Sequence, residues 1–118
     1  MEKILEFINV TKIYKNFILD NVSFSLEKGA IMGFVGENGV GKTTTIKLMI
    51  NAIGKNSGEI NIFGKDNDKE EVFIKNNIGY VPDEDYFEPR SNLMNYAKAL
   101  EVFYDNWSYE TFKKYVDL

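Results

Sequence analysis

The chain has 118 residues, with 14 Lys+Arg against 18 Asp+Glu, and contains neither cysteine nor histidine. It therefore has no disulfide framework and no thiolate metal site, and it lacks the commonest general base. A net charge of −4 argues against nucleic-acid binding by bulk electrostatics, while 44% hydrophobic and 27% charged residues make a globular composition.

The N-terminus, Met1 to Glu6, carries no long apolar stretch of the signal-peptide kind. No run approaches the ~18 apolar residues that a membrane span needs, so the expectation is a soluble chain whose membrane role, if it has one, runs through a partner. Ile4–Tyr14, rich in β-branched and aromatic residues, reads as a strand. Phe17–Leu26 alternates, with Val22, Phe24 and Leu26 on one face and Asn21, Ser23 and Ser25 on the other. Lys28-Gly29 turns the chain into Ala30–Val35, a continuous apolar run expected to be a strand buried on both faces.

A glycine-rich loop, Gly36 to Gly41, then leads into a helix over 42–52, with Ile46, Met49, Ile50 and Ile53 spaced along one face and Gly54 as its C-cap. Glu59–Phe63 is a short strand closed by Gly64, Lys69–Asn76 a short helix, and Ile78–Val81 a further strand. Pro82–Pro89 is loop. Ser91 is expected to cap a helix with Leu93, Ala97, Leu100 and Tyr104 on its buried face. Ser108 is expected to cap a second, with Phe112, Tyr115 and Val116 inward. That helix runs to Leu118 without a C-cap glycine or polar tail, so the chain reads as truncated inside an amphipathic pattern. The order of elements is that of an α/β protein with a β-rich N-terminal part.

Gly36-Glu37-Asn38-Gly39-Val40-Gly41-Lys42-Thr43 fits G-x-x-x-x-G-K-[ST], the phosphate-binding loop. Glycines at 36, 39 and 41 let backbone N–H groups wrap closely round a phosphate. The helix that follows adds its N-terminal dipole at the same place. Lys42 supplies a point charge for the β- and γ-phosphates, Thr43 a hydroxyl for Mg²⁺, and Thr44 a hydroxyl toward the α-phosphate. An apolar run enters the loop and an amphipathic helix leaves it, as a nucleotide phosphate site requires.

The flanks resemble the nucleotide-binding domain of ATP-binding cassette (ABC) transporters. The resemblance runs from Val10-Thr11-Lys12-Ile13-Tyr14 through Leu19-Asp20-Asn21-Val22-Ser23-Phe24 and Lys28-Gly29 to the loop itself. It continues in Ser57-Gly58-Glu59-Ile60 with Gly64, and in Ile78-Gly79-Tyr80-Val81-Pro82, similar to the strand entering that family's Q-loop. The fold it implies is a P-loop NTPase of the ABC ATPase kind, with a β-rich N-terminal subdomain, an incomplete core sheet and the start of the helical subdomain. Residues 1–82 would be the ATP-binding core portion, and 83–118 the Q-loop region and the start of the helical subdomain.

The same resemblance implies ATP and Mg²⁺ as cofactors, with Tyr14 stacking on the adenine ring. It implies a second nucleotide-binding domain, identical or different, and membrane-spanning transporter subunits as partners, with no nucleic acid. The location would be cytoplasmic, at the inner face of the cell membrane, through those subunits. Tyr86, Phe87 and Trp107 are candidate contacts with them.

Two features depart from the family pattern. Asp83, followed by Glu84 and Asp85, stands where the family usually has glutamine; a carboxylate there still offers an oxygen ligand to Mg²⁺. The 118 residues also contain no Leu-Ser-Gly-Gly-Gln signature, no apolar strand ending in Asp-Glu, and no switch histidine. The expectation is an N-terminal portion that binds nucleotide and turns it over very poorly alone. A soluble ABC-type ATPase of translation or repair, and a nucleotide-binding module without turnover, are the alternatives.

Overall fold

The computed structural model describes residues 2–34, 40–81 and 92–116. The chain forms two units, Met1–Lys75 and Asn76–Leu118.

The first unit is built on an antiparallel sheet in the order β2-β1-β3-β4, with β1 at Lys3–Tyr14, β2 at Phe17–Glu27, β3 at Ser57–Ile62 and β4 at Lys65–Asp66. The long β1/β2 hairpin closes through the pair Tyr14↔Phe17; besides a register shift between Lys3 and Leu5 at its open end, its alternation is interrupted once in each strand on the way to the tip. Between Phe7↔Phe24 and Val10↔Val22 the extra residue lies in β1; between Val10↔Val22 and Lys12↔Leu19 it lies in β2. Each interruption carries an asparagine with φ of 50°, Asn9 and Asn21, a residue whose short polar side chain tolerates the left-handed region. The ladder groups freed there are met by hydroxyls across the hairpin. Asn9 N–H donates to Ser23 Oγ at 2.8 Å, and Asn21 N–H to Thr11 Oγ1 at 3.0 Å.

These bulges explain why residues three apart, Phe7 and Val10, are both buried. Phe7 stacks on Phe24 with ring centroids 4.6 Å apart, and Phe24 meets the edge of Phe34 at 5.6 Å. Ile60 and Ile62 of β3 add to the buried apolar set. So do Leu48 of helix α1 (Val40–Met49) and Ile74 of helix α2 (Glu71–Asn76).

The buried face of α1 is not the expected isoleucine stripe. Thr44, Thr45 and Leu48 are buried, whereas Ile46, Met49, Ile50 and Ile53 are half-buried. A threonine can face a core when its hydroxyl has a partner, and Thr45 Oγ1 donates to Gly41 O at 2.7 Å. The helix also ends before Gly54. Asn51, with φ of 58°, closes it through Asn51 N–H to Leu48 O (3.2 Å) and Ala52 N–H to Lys47 O (2.8 Å), a Schellman arrangement. Buried Asn67 donates through Nδ2 to Leu48 O at 3.0 Å, capping the same end.

The apolar run 30–34 forms no strand, and Ile31 is 99% exposed. A strand buried on both faces needs hydrogen-bonded neighbours, and among the described residues none pairs with it. Residues 78–81 likewise form no ladder, and Val81 is 91% exposed. Both expected core strands are corrected on this point.

The second unit holds helices α3 (Leu93–Glu101) and α4 (Tyr109–Val116). Asn92 caps α3, its side chain accepting from Asn95 N–H at 2.9 Å, in place of the expected Ser91, which lies outside the described residues. Ser108 caps α4 as expected, accepting from Thr111 N–H at 3.1 Å. Asn76 and Asp105 pair reciprocally at 2.9 Å through Nδ2 to Oδ2 and Asp105 N–H to Oδ1. On α3 only Ala97 is buried; Leu93 and Leu100 are exposed, and on α4 so are Tyr115 and Val116, contrary to the expected inward faces. Leu93, Tyr115 and Val116 line an open cavity of about 590 Å³ together with Trp107 and Phe112.

Candidate nucleotide-binding site

Three stretches of sequence supply the site. The hairpin tip brings Tyr14 and Phe17 side by side, ring centroids 6.5 Å apart and tilted by 35°. Both belong to the face that carries Phe7 and Val10, because the bulges return those positions to one side of the sheet. The tip is held from its other edge by Asn56, whose Oδ1 accepts from Ile13 N–H at 2.8 Å while its own N–H donates to Thr11 O at 2.8 Å.

The second stretch is the start of α1. A β-carbon built on Gly41 would lie 3.7 Å from the tip of the Phe17 ring, so the hairpin tip stands close beside the N-terminus of α1. The first-turn N–H groups of a helix have no intrahelical partner and gather a partial positive charge. Lys42 is half-buried there, Thr43 is exposed and Thr44 is buried at 2% exposure. The neighbouring threonines therefore send their hydroxyls into different surroundings.

The third element is Lys12, two residues before Tyr14 on the same strand face, with its ammonium 5.4 Å from the centroid of the Tyr14 ring. Tyr14 keeps 37% of its surface exposed.

The structure thus brings Tyr14, Gly41, Lys42 and Thr43 to one end of the first unit. The backbone of Val40 opens α1. Gly36, Glu37, Asn38 and Gly39 lie outside the described residues, as do Asp83, Tyr86 and Phe87. Trp107 is half-buried between Tyr109 and Phe112, ring centroids 6.0 Å from each. Its indole N–H is buried with no acceptor among the described residues.

Two neighbours of the site, Phe17 and Lys12, were not singled out from the sequence. The signal for Lys12 is its two-residue spacing from Tyr14; that for Phe17 is its place opposite Tyr14 across a two-residue turn.

The donor set suits a nucleotide with a hard cation. An ammonium and helix N–H groups meet phosphate oxygens, an exposed hydroxyl offers a cation an oxygen ligand, and an exposed aromatic face offers a stacking surface. Among the described residues no helix is long and apolar enough to cross a membrane.

Comparison with known proteins gives the same family. A family model described as ABC transporter matches residues 19–117. An uncharacterized ABC transporter ATP-binding protein of Bacillus subtilis, YhcH, is 33% identical over 106 residues, covering 86% of this chain and 35% of the relative. The bacitracin transport ATP-binding protein BcrA of Bacillus licheniformis is 33% identical over 111 residues, covering 90% and 36%. The chain thus spans about a third of the length of these curated relatives. A solved structure of the ATP-binding subunit of an ABC transporter superposes on 94% of this chain and 46% of its own with a TM-score of 0.79; at 23% identity it speaks for the fold, that of a P-loop NTPase. With a matching family model over most of its length and relatives above the level of chance likeness, the chain belongs to the ABC transporter ATP-binding family.

Proposed function

We propose that the polypeptide carrying this sequence binds MgATP at the Gly36–Thr43 loop and uses it to power transport by separate membrane-spanning subunits. It would work at the cytoplasmic face of the membrane, paired with a second nucleotide-binding domain. The observation that supports this most directly is the closeness of the Phe17 ring to Gly41, where a built β-carbon would lie 3.7 Å from the ring, so that an aromatic hairpin tip stands beside the helix end that follows the phosphate loop. Base and phosphates of one nucleotide need such surfaces side by side.

In this reading each residue has a separable task. Tyr14 stacks on the base, an interaction that every base face permits, so the preference for adenine comes from the family. The N–H groups at the start of α1 and the Lys42 ammonium hold phosphate oxygens, and Lys42 offsets the charge that builds on them during transfer. Thr43, with Asp83, would hold Mg²⁺ through oxygen. When bound, Mg²⁺ would supply positive charge against the phosphate oxygens. The 118 residues contain no carboxylate pair ending an apolar strand and no partner-facing signature. This chain alone is therefore proposed to bind and to turn over very poorly.

The test is calorimetric titration of the 118-residue chain with ATP and Mg²⁺, beside Lys42→Ala. Binding lost in the variant supports the reading. A folded wild-type chain that gives no binding overturns it for this chain, and robust Lys42-dependent turnover would overturn the statement on activity.

A further inference from the structure

We propose that Lys12 is a positioning residue of the nucleotide site, holding the Tyr14 ring in its stacking orientation through its ammonium and making that ring a better platform for a base. The inference rests on the reading of Tyr14 as the base-stacking residue.

Three observations carry it. Lys12 and Tyr14 lie two apart on β1 beyond the last bulge, so their side chains leave the same face of the sheet. The Lys12 ammonium stands 5.4 Å from the Tyr14 centroid, within the range of a cation–π contact. Lys12 is half-buried, which limits the freedom of its side chain to leave the ring.

The ring is thus held on several sides. Phe17 lies beside it at 6.5 Å, Lys12 reaches over it, and Asn56 fixes the strand at the preceding residue. The exposed 37% of Tyr14 is the portion left to receive a ligand. Because Tyr14 has lost much of its freedom to swing, a base that stacks on it has less disorder to overcome.

This role differs from direct phosphate binding, and the difference is measurable. ATP and inorganic tripolyphosphate are titrated, each with Mg²⁺, into the full chain, Lys12→Met, Lys12→Arg, Tyr14→Ala and the double variant Lys12→Met/Tyr14→Ala. Lys42→Ala serves as control, and thermal unfolding confirms that each variant is folded. Lys12→Met keeps the stem and removes the charge. It is expected to weaken ATP roughly two- to fivefold, to leave tripolyphosphate unchanged, to be rescued by Lys12→Arg, and to add nothing in the Tyr14→Ala background.

An equal loss for tripolyphosphate would overturn the proposal in favour of a direct phosphate contact. So would a loss that persists without Tyr14, or no loss at all in a chain whose ATP binding depends on Lys42. A wild-type chain that binds neither ligand would overturn the function reading, and this proposal with it.

Discussion

Gly58 of β3 lies so close to the Asn9 carbonyl that a β-carbon at position 58 would sit 2.3 Å from the oxygen. The Asn9 bulge pushes the β1 backbone toward its neighbour, and Gly58, at φ of 92°, is where β3 gives way. Neither residue explains the other without the contact.

Gly58→Ala therefore meets both a backbone clash and a left-handed φ. The expected cost is at least about 1–3 kcal/mol, read as a lower urea midpoint of the full chain. A change under about 0.5 kcal/mol, the scale of an ordinary surface substitution, would show that the bulge relaxes freely.

The end of α1 gives a second prediction. Asn67→Ala removes the donor that meets the Leu48 carbonyl at 3.0 Å in a buried position, leaving that oxygen without its side-chain partner. Because that oxygen still accepts from Asn51 N–H, stability should fall by about 0.5–1.5 kcal/mol. ATP affinity should change much less, because the carbonyl lies at the opposite end of the helix from Lys42. Equal effects on both would show that the helix moves as a whole.

Acid stability should depend on Asp66. Hydrogen bonds from the Lys69 and Asp68 N–H groups hold its carboxyl below the usual aspartate value, with burial opposing and Lys55 and Lys69 assisting. Because the folded value is depressed, the contribution is complete at neutral pH and is lost as pH falls through it, below about 4. Asp66→Asn should flatten the loss of stability over that window. Superimposable pH profiles for the two chains would remove Asp66 from the account. The exposure of the group keeps the effect small.

At the hairpin tip, stacking requires a ring and not a hydroxyl. Tyr14→Phe should bind ATP nearly as the wild type does, while Tyr14→Ala should lose on the order of 1–3 kcal/mol of binding. Equal affinity in all three, by calorimetry, would place the base elsewhere.

What was legible in the sequence was what neighbouring residues decide. Strands β1, β2 and β3, helix α2 and the Ser108 cap follow from alternation, periodicity and local cap chemistry, all of which act within a few residues. The apolar runs 30–34 and 78–81 state only that those segments would be stable under cover; pairing depends on strands elsewhere in the chain. The isoleucines of α1 outweighed its threonines in a hydrophobic pattern, which has no means of knowing that Thr45 satisfies its hydroxyl on Gly41. At the site, the loop motif stands in the sequence itself, and Tyr14 is proposed from the family resemblance. Phe17 and Lys12 could not be read there, since their importance comes from how the hairpin meets α1.

The two asparagine bulges make the hairpin a ruler with a set number of graduations. Beyond the shift at the open end of the hairpin, each strand steps out of phase once, so the tip presents Lys12, Tyr14 and Phe17 on the face that meets α1. Removing the graduation itself, by deleting Asn9 alone, would leave Phe7 and Val10 two apart and keep Lys12 and Tyr14 on the inner face, whereas deleting Thr11 alone, beyond the bulge, would put Ile13 there and turn Lys12 and Tyr14 away. For a protein of this family, a single-residue deletion about ten ångströms of strand away from Tyr14 would then read as a nucleotide-site defect, on the ~3.3 Å rise of each residue.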